Sequence, residues 1–105
     1  MSIRDRQEGF EKKFAMDEET KFKAMARRNK LLGLWAAEKL GKTGTDADAY
    51  AKEVVQADFE EAGDNDVFRK VRTDFDTAGV VLSDTQIRSI MDELIATAVE
   101  QIKNN

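Results

Sequence analysis

"RRNKLLGLWAAEKLG", running from Arg27 to Gly41, sets three cations against an apolar run that holds the chain's only tryptophan, Trp35. Leu31, Leu32, Leu34, Trp35, Ala36 and Leu40 leave almost no polar side for two turns, and a helix apolar all round is surrounded by neighbours. The stretch therefore reads as the centre of a helical core. Trp35 and the Leu31–Leu34 run are expected to lie buried against the last helix of the chain. Gly33 costs roughly 1 kcal/mol against alanine in a helix interior, and the compensating gain is a close backbone approach by another helix. Gly41 reads as the stop. Upstream, Phe22, Met25 and Ala26 continue the three- and four-residue steps, and the helix is expected to begin near Asp17–Thr20.

Three more helices follow by the same logic. Thr45 or Asp46 opens one that Gly63 closes, with Tyr50, Ala51, Val54, Val55 and Phe59 as packing residues. Asp64 or Asn65 caps a shorter one, whose face is Val67, Phe68, Val71, Phe75 and Ala78 and whose stop is Gly79. Ser83 followed by Gln86 is a capping box, and Leu82 with Ile87 occupies the positions of a hydrophobic staple. The last helix then runs from about Asp84 to Lys103, with Ile87, Ile90, Met91, Leu94, Ile95, Ala98 and Ile102 on one face. The connections Lys42–Gly44, Gly63–Asn65 and Gly79–Leu82 have lengths normal in helical bundles. The 105 residues contain no proline, which suits a chain helical nearly throughout. The expected fold is all-α, a compact four-helix bundle over residues 20–105 preceded by an arm over residues 1–19.

What the chain lacks bounds its chemistry. Without cysteine there is no disulfide, thiolate nucleophile or thiolate metal site. Without histidine, the commonest general base and transition-metal ligand are missing too. The expectation is a protein that is not an enzyme and holds no metal and no tightly bound cofactor. The first twenty residues are heavily charged, unlike a signal peptide, and no apolar run approaches the ~18 residues of a membrane span. A cytoplasmic location is expected, without direct membrane insertion. The net charge of −4 is unevenly spread: residues 1–44 carry 11 Lys/Arg and 7 Asp/Glu, residues 45–105 carry 6 and 14. The acidic rear opposes any nucleic-acid contact through phosphate repulsion.

Four local patterns bear on a site. Gly41-Lys42-Thr43 resembles the end of a P-loop, but Ala36 stands where that motif needs glycine, so a helix stop is the better reading. Asp64-Asn65-Asp66 begins like a calcium loop, but Arg69 occupies the position of its glycine. Arg27, Arg28 and Lys30, with Trp35 nearby, form a candidate nucleotide site: cations for phosphates and an indole for a base. A solvated basic turn is the simpler account of the same residues. In the arm, Ile3, Phe10 and Phe14 form a thin apolar stripe that Asp17–Thr20 interrupts. Two phenylalanines on a charged arm point to a partner or to extra core folded back on the bundle.

The stretches "FEKKFAMDEETKFKAMARRNKLLGLWAAEKLG" (10–41) and "YAKEVVQADFEEAGDNDVFRKVRTDFDTAGV" (50–80) resemble the zeta subunit of the alphaproteobacterial F-type ATP synthase. The block "ARRNKLLGLWAA" (26–37) is the most distinctive part, with "YAKEVV" and "ADFEE" in the right order after it. The resemblance implies a four-helix bundle with a mobile N-terminal arm, monomeric when free. It also implies binding to the catalytic head of the synthase and inhibition of ATP hydrolysis there. It places the inhibitory element in the arm, with Arg4, Asp5, Arg6, Phe10 and Phe14 matching the family pattern. Weak ATP or ADP binding by the bundle is implied as well. The chain departs from the pattern at Gly9, where helix formers are common, and at Met16, where a histidine is expected. Both departures bear on inhibitory strength.

Overall fold

The computed structural model describes residues 17–58 and 65–103. They form four α-helices and no strand: α1 (Glu18–Lys39), α2 (Gly44–Ala57), α3 (Asn65–Ala78) and α4 (Asp84–Lys103). The helices assemble into the expected compact bundle, with a Cα radius of gyration of 13.4 Å. The whole arm up to Met16, and Phe59 to Asp64, lie outside the described residues.

Helix ends follow local hydrogen-bond chemistry. Asp17 caps α1 from an extended backbone, its side chain accepting from the Thr20 N–H at 2.7 Å. That bond to the backbone amide, seconded by the Thr20 side chain, holds the Asp17 carboxyl below its ordinary pKa. At the other end, Lys42 N–H donates to Ala37 O at 2.9 Å and Gly41 N–H to Glu38 O at 3.1 Å. This is a Schellman closure, and Gly41 takes the left-handed conformation it requires, φ 78°. Gly79 ends α3 in the same way. The helix stop, not a phosphate loop, is thus what Gly41-Lys42-Thr43 encodes. At α4 the capping box is present in both directions: Ser83 N–H to Gln86 Oε1 at 2.8 Å, and Gln86 N–H to Ser83 Oγ at 3.1 Å.

The α2 boundaries differ from expectation. Thr43 rather than Thr45 or Asp46 is the N-cap, and the helix ends at Ala57, well before Gly63. The Asp58 N–H bonds back to Val55 O, tightening the last turn. Asp58 follows there, and a carboxylate at the negative end of a helix dipole disfavours its extension.

The core is Leu32, Ala36 and Ala37 of α1, Tyr50 and Val54 of α2, Val67, Val71 and Phe75 of α3, and Ile87 and Met91 of α4. α1 is the hub: it packs against each of the other three. Gly33 makes the expected close approach, and the partner is α2. A Cβ on Gly33 would stand 2.5 Å from the Ala51 Cα.

Five packing expectations need correction, one of them Ala78, expected on the face of α3 but exposed in its last turn. Trp35 is only half-buried, and its ring partner is Phe75 of α3 rather than the last helix, at 5.7 Å between centroids in an edge-on arrangement. Leu34 and Leu31 are half-buried as well. On α4, Leu94 is half-buried while Val99, off the expected face, is buried. On α1, Phe22 is 62% exposed. Each discrepancy has one cause: a stripe shows which side of a helix is apolar, but the neighbours decide how far along it the cover extends.

Candidate partner-binding site

The arm residues Ile3, Arg4, Asp5, Arg6, Phe10 and Phe14 lie outside the described residues. Their root does not. Asp17, Glu18, Glu19, Phe22 and Lys23 are exposed, and Ala24 is the single buried residue between Asp17 and Arg27. The first two turns of α1 therefore stand largely in solvent. They are supported by their own ion pairs, Lys21–Glu18 at 3.4 Å and Lys23–Glu19 at 3.3 Å, each worth a few tenths of a kcal/mol.

The basic turn comes next, and the structure does not gather its residues into one site. Arg28 is 1% exposed, and its Nε donates to Asn29 Oδ1 at 2.8 Å. The reading of a solvated turn is therefore wrong for Arg28, whose long apolar stem fills interior space. Arg27 is half-buried and donates from Nη1 to Gln101 Oε1 at 3.1 Å, tying α1 to the last turn of α4. Lys30 is exposed on another side, where a shallow depression of about 510 Å³ is lined by Lys30, Asp48, Ala51, Lys52, Val55 and Gln56. Trp35 faces Phe75. Arg27, Lys30 and Trp35 thus serve three different neighbours, and the cations needed for phosphate do not converge on the indole.

Polar networks elsewhere hold the bundle rigid behind the arm. Tyr50, buried on α2, donates its hydroxyl to Asp74 Oδ2 at 2.8 Å. Lys70 bonds the same carboxylate at 2.9 Å, reaches Glu53 at 3.3 Å, and lies 5.2 Å from the centre of the Tyr50 ring. Burial, with the adjacent Asp74 hydrogen bond and charge, pushes the Tyr50 phenol far above its ordinary value. Burial works to lower the Lys70 pKa, but Asp74 and Glu53 outweigh it and the net shift is upward. Arg72 pairs with Asp76 of its own helix at 2.8 Å and joins α3 to the α4 entry through the Leu82 carbonyl at 2.7 Å and Asp84 at 3.0 Å. Arg88 of α4 lies 4.1 Å over the Phe68 ring and donates to Asn65 Oδ1 at 2.9 Å. Lys70–Asp74 and Arg72–Asp76 are four-residue steps within α3; the other contacts join residues ten or more apart and are not visible in sequence. Among the described residues no group of His, Cys, Asp and Glu is placed to hold a metal ion, and no helix is long and apolar enough to cross a membrane.

The sequence profile of the family described as ATPase inhibitor subunit zeta matches residues 1–101. A structure solved in solution by nuclear magnetic resonance is 53% identical and superimposes with a TM-score of 0.71, covering 79% of this chain and 94% of that one. No curated protein matches.

Proposed function

Because the chain belongs to the ATPase inhibitor subunit zeta family, we propose that it restrains ATP hydrolysis by docking on the catalytic head of an F-type ATP synthase in the cytoplasm. The arm, residues 1–19, is the inhibitory element, and the bundle carries docking. The observation behind this reading is the span of the family match, which takes in the arm and its stripe as well as the bundle.

A rotary motor turns only if the interfaces between its catalytic subunits open and close. A helical segment wedged there, with Phe10 and Phe14 one turn apart and projecting together, stabilises one state of the interface and stops the cycle. Ordering the arm on binding costs entropy, which burial of two aromatic rings offsets. The chain acts as a stoichiometric ligand, so it needs no catalytic group of its own. A rigid bundle behind the arm limits the freedom lost on docking.

The test is ATP hydrolysis by a purified alphaproteobacterial catalytic head, titrated with the parent chain, with Phe10→Ala/Phe14→Ala, and with the chain lacking residues 1–16. The parent should inhibit. Both variants should lose inhibition while keeping the parent's melting temperature, and the truncated chain should still bind weakly. Full inhibition by the truncated chain would sink the assignment of inhibition to the arm.

A further inference from the structure

We propose that the hydrogen bond from Arg27 to Gln101 is a brace that fixes the direction in which the first turns of α1 leave the bundle, and that inhibition depends on it. This rests on the inhibitory reading above and adds two positioning residues, Arg27 and Gln101, that act without touching the catalytic head.

A hydrogen bond between half-buried side chains is ordinary in a helical bundle, and alone it would carry nothing. What sets this one apart is its place. Arg27 stands where α1 enters the core. From there on Arg28, Asn29, Leu32, Gly33, Ala36 and Ala37 are buried, whereas Ala24 is the single buried residue between Asp17 and Arg27. An alanine buries little more than a methyl group, so apolar packing holds this end of α1 weakly. The acceptor is better seated. Ala98 and Val99 are 0% and 4% exposed, so the closing turns of α4 are packed into the bundle. α1 packs along α4, and Ile87 and Met91 of early α4 share the core with Leu32, Ala36 and Ala37 of later α1. With Arg27 Nη1 donating to Gln101 Oε1 at 3.1 Å, the two helices run antiparallel. The last turn of α4 therefore flanks the point where α1 comes free. The helix from Arg27 back to Glu18 is a lever of about 13 Å, and a tilt of about 10° at Arg27 moves its tip by about 2 Å. A binding element held in one direction loses less freedom on docking than one that swings.

The experiment uses the full chain in two assays. The sequence has no cysteine, so spin labels on Glu19→Cys and Ser89→Cys, exposed positions of α1 and α4, report one distance in the free chain by pulsed electron paramagnetic resonance. Unlabelled chains are titrated against ATP hydrolysis by the purified catalytic head, at a temperature where melting curves show every variant folded. Arg27→Met removes the donors and keeps the apolar stem, Gln101→Leu removes the acceptor, and the double variant completes the cycle. Ser83→Ala, which loses the α4 cap far from the brace, controls for lost stability alone. Both single variants should broaden the distance distribution and inhibit about tenfold more weakly. The double variant should be no worse than either single one, because all three lack the same bond. Ser83→Ala should match the parent in both assays. Unchanged inhibition in the single variants overturns the proposal. Weaker inhibition at an unchanged distance distribution overturns it too, because Arg27 then acts by touching the head. So do additive losses in the double variant, or equal losses in Ser83→Ala. A parent chain that does not inhibit refutes the inhibitory reading, and the distance distribution then decides the brace by itself: an unchanged width in Arg27→Met and Gln101→Leu overturns it.

Discussion

Gly33→Ala should destabilise the bundle, although alanine is the better helix former. An ideal Cβ at this position would meet the Ala51 Cα at 2.5 Å, its Cβ at 3.1 Å and its carbonyl oxygen at 3.3 Å. Carbon atoms pack favourably at about 3.5–4.0 Å, so the first contact is about 1 Å too short. No side-chain rotation relieves it, because both atoms are fixed to their backbones. The axes of α1 and α2 must move apart by about that distance. A gap of ~1 Å forfeits up to about half of each dispersion contact along the seam, and Leu32, Ala36, Tyr50 and Val54 of these two helices share the core. Overpacking costs about 1–3 kcal/mol, occasionally more, and a backbone clash belongs at the upper end. Alanine's helix preference returns about 1 kcal/mol, leaving a net loss of about 2 kcal/mol. In a domain of this size that lowers the melting temperature by about 8–16 °C. Equilibrium urea unfolding followed by Trp35 fluorescence measures the loss directly. Adding Ala51→Gly should rescue only in part, since it removes the 3.1 Å contact but leaves the 2.5 Å one. A Gly33→Ala chain more stable than the parent by about 1 kcal/mol would show slack between α1 and α2 and refute the reasoning.

Two further outcomes are expected. Phe75→Ala, at a fully buried site, should cost about 3–5 kcal/mol, Leu94→Ala about 2 kcal/mol because that side chain is half-buried, and Ser83→Ala about 0.5–2 kcal/mol through the lost cap; urea unfolding that ranked the cap above Phe75 would contradict the core assignment. Tyr50 is the only tyrosine, so phenolate absorbance reports it alone: because its pKa is raised in the folded state, its contribution to stability is complete below pH 10.0 and is lost as pH rises, and ionisation should coincide with alkaline unfolding. Tyr50→Phe should cost about 1 kcal/mol, and a folded chain that ionises near pH 10 would contradict the Asp74 hydrogen bond.

What the sequence determined by itself is local. The capping box Ser83–Gln86, the cap at Asp17 and the glycine closures at Gly41 and Gly79 are each settled within about five residues, where hydrogen-bond geometry leaves few alternatives. The extents of α1, α3 and α4 follow from them, and so does the all-helical bundle. Gly33 was legible as a close approach because a glycine in a helix interior is otherwise a net loss. The sequence did not reveal that the approaching helix is α2.

Only the tertiary structure decided what covers each apolar face and where cover runs out. Arg28 and Asp66 are buried, against the habit of charged side chains. Phe22 is open because its stripe continues past the point where the bundle covers it. Trp35 meets Phe75, and Arg27 meets Gln101, through pairings about forty and seventy residues apart in sequence. Helical periodicity fixes an angle about one axis. Burial depends on the relative placement of several axes, and that is set only when the whole core packs.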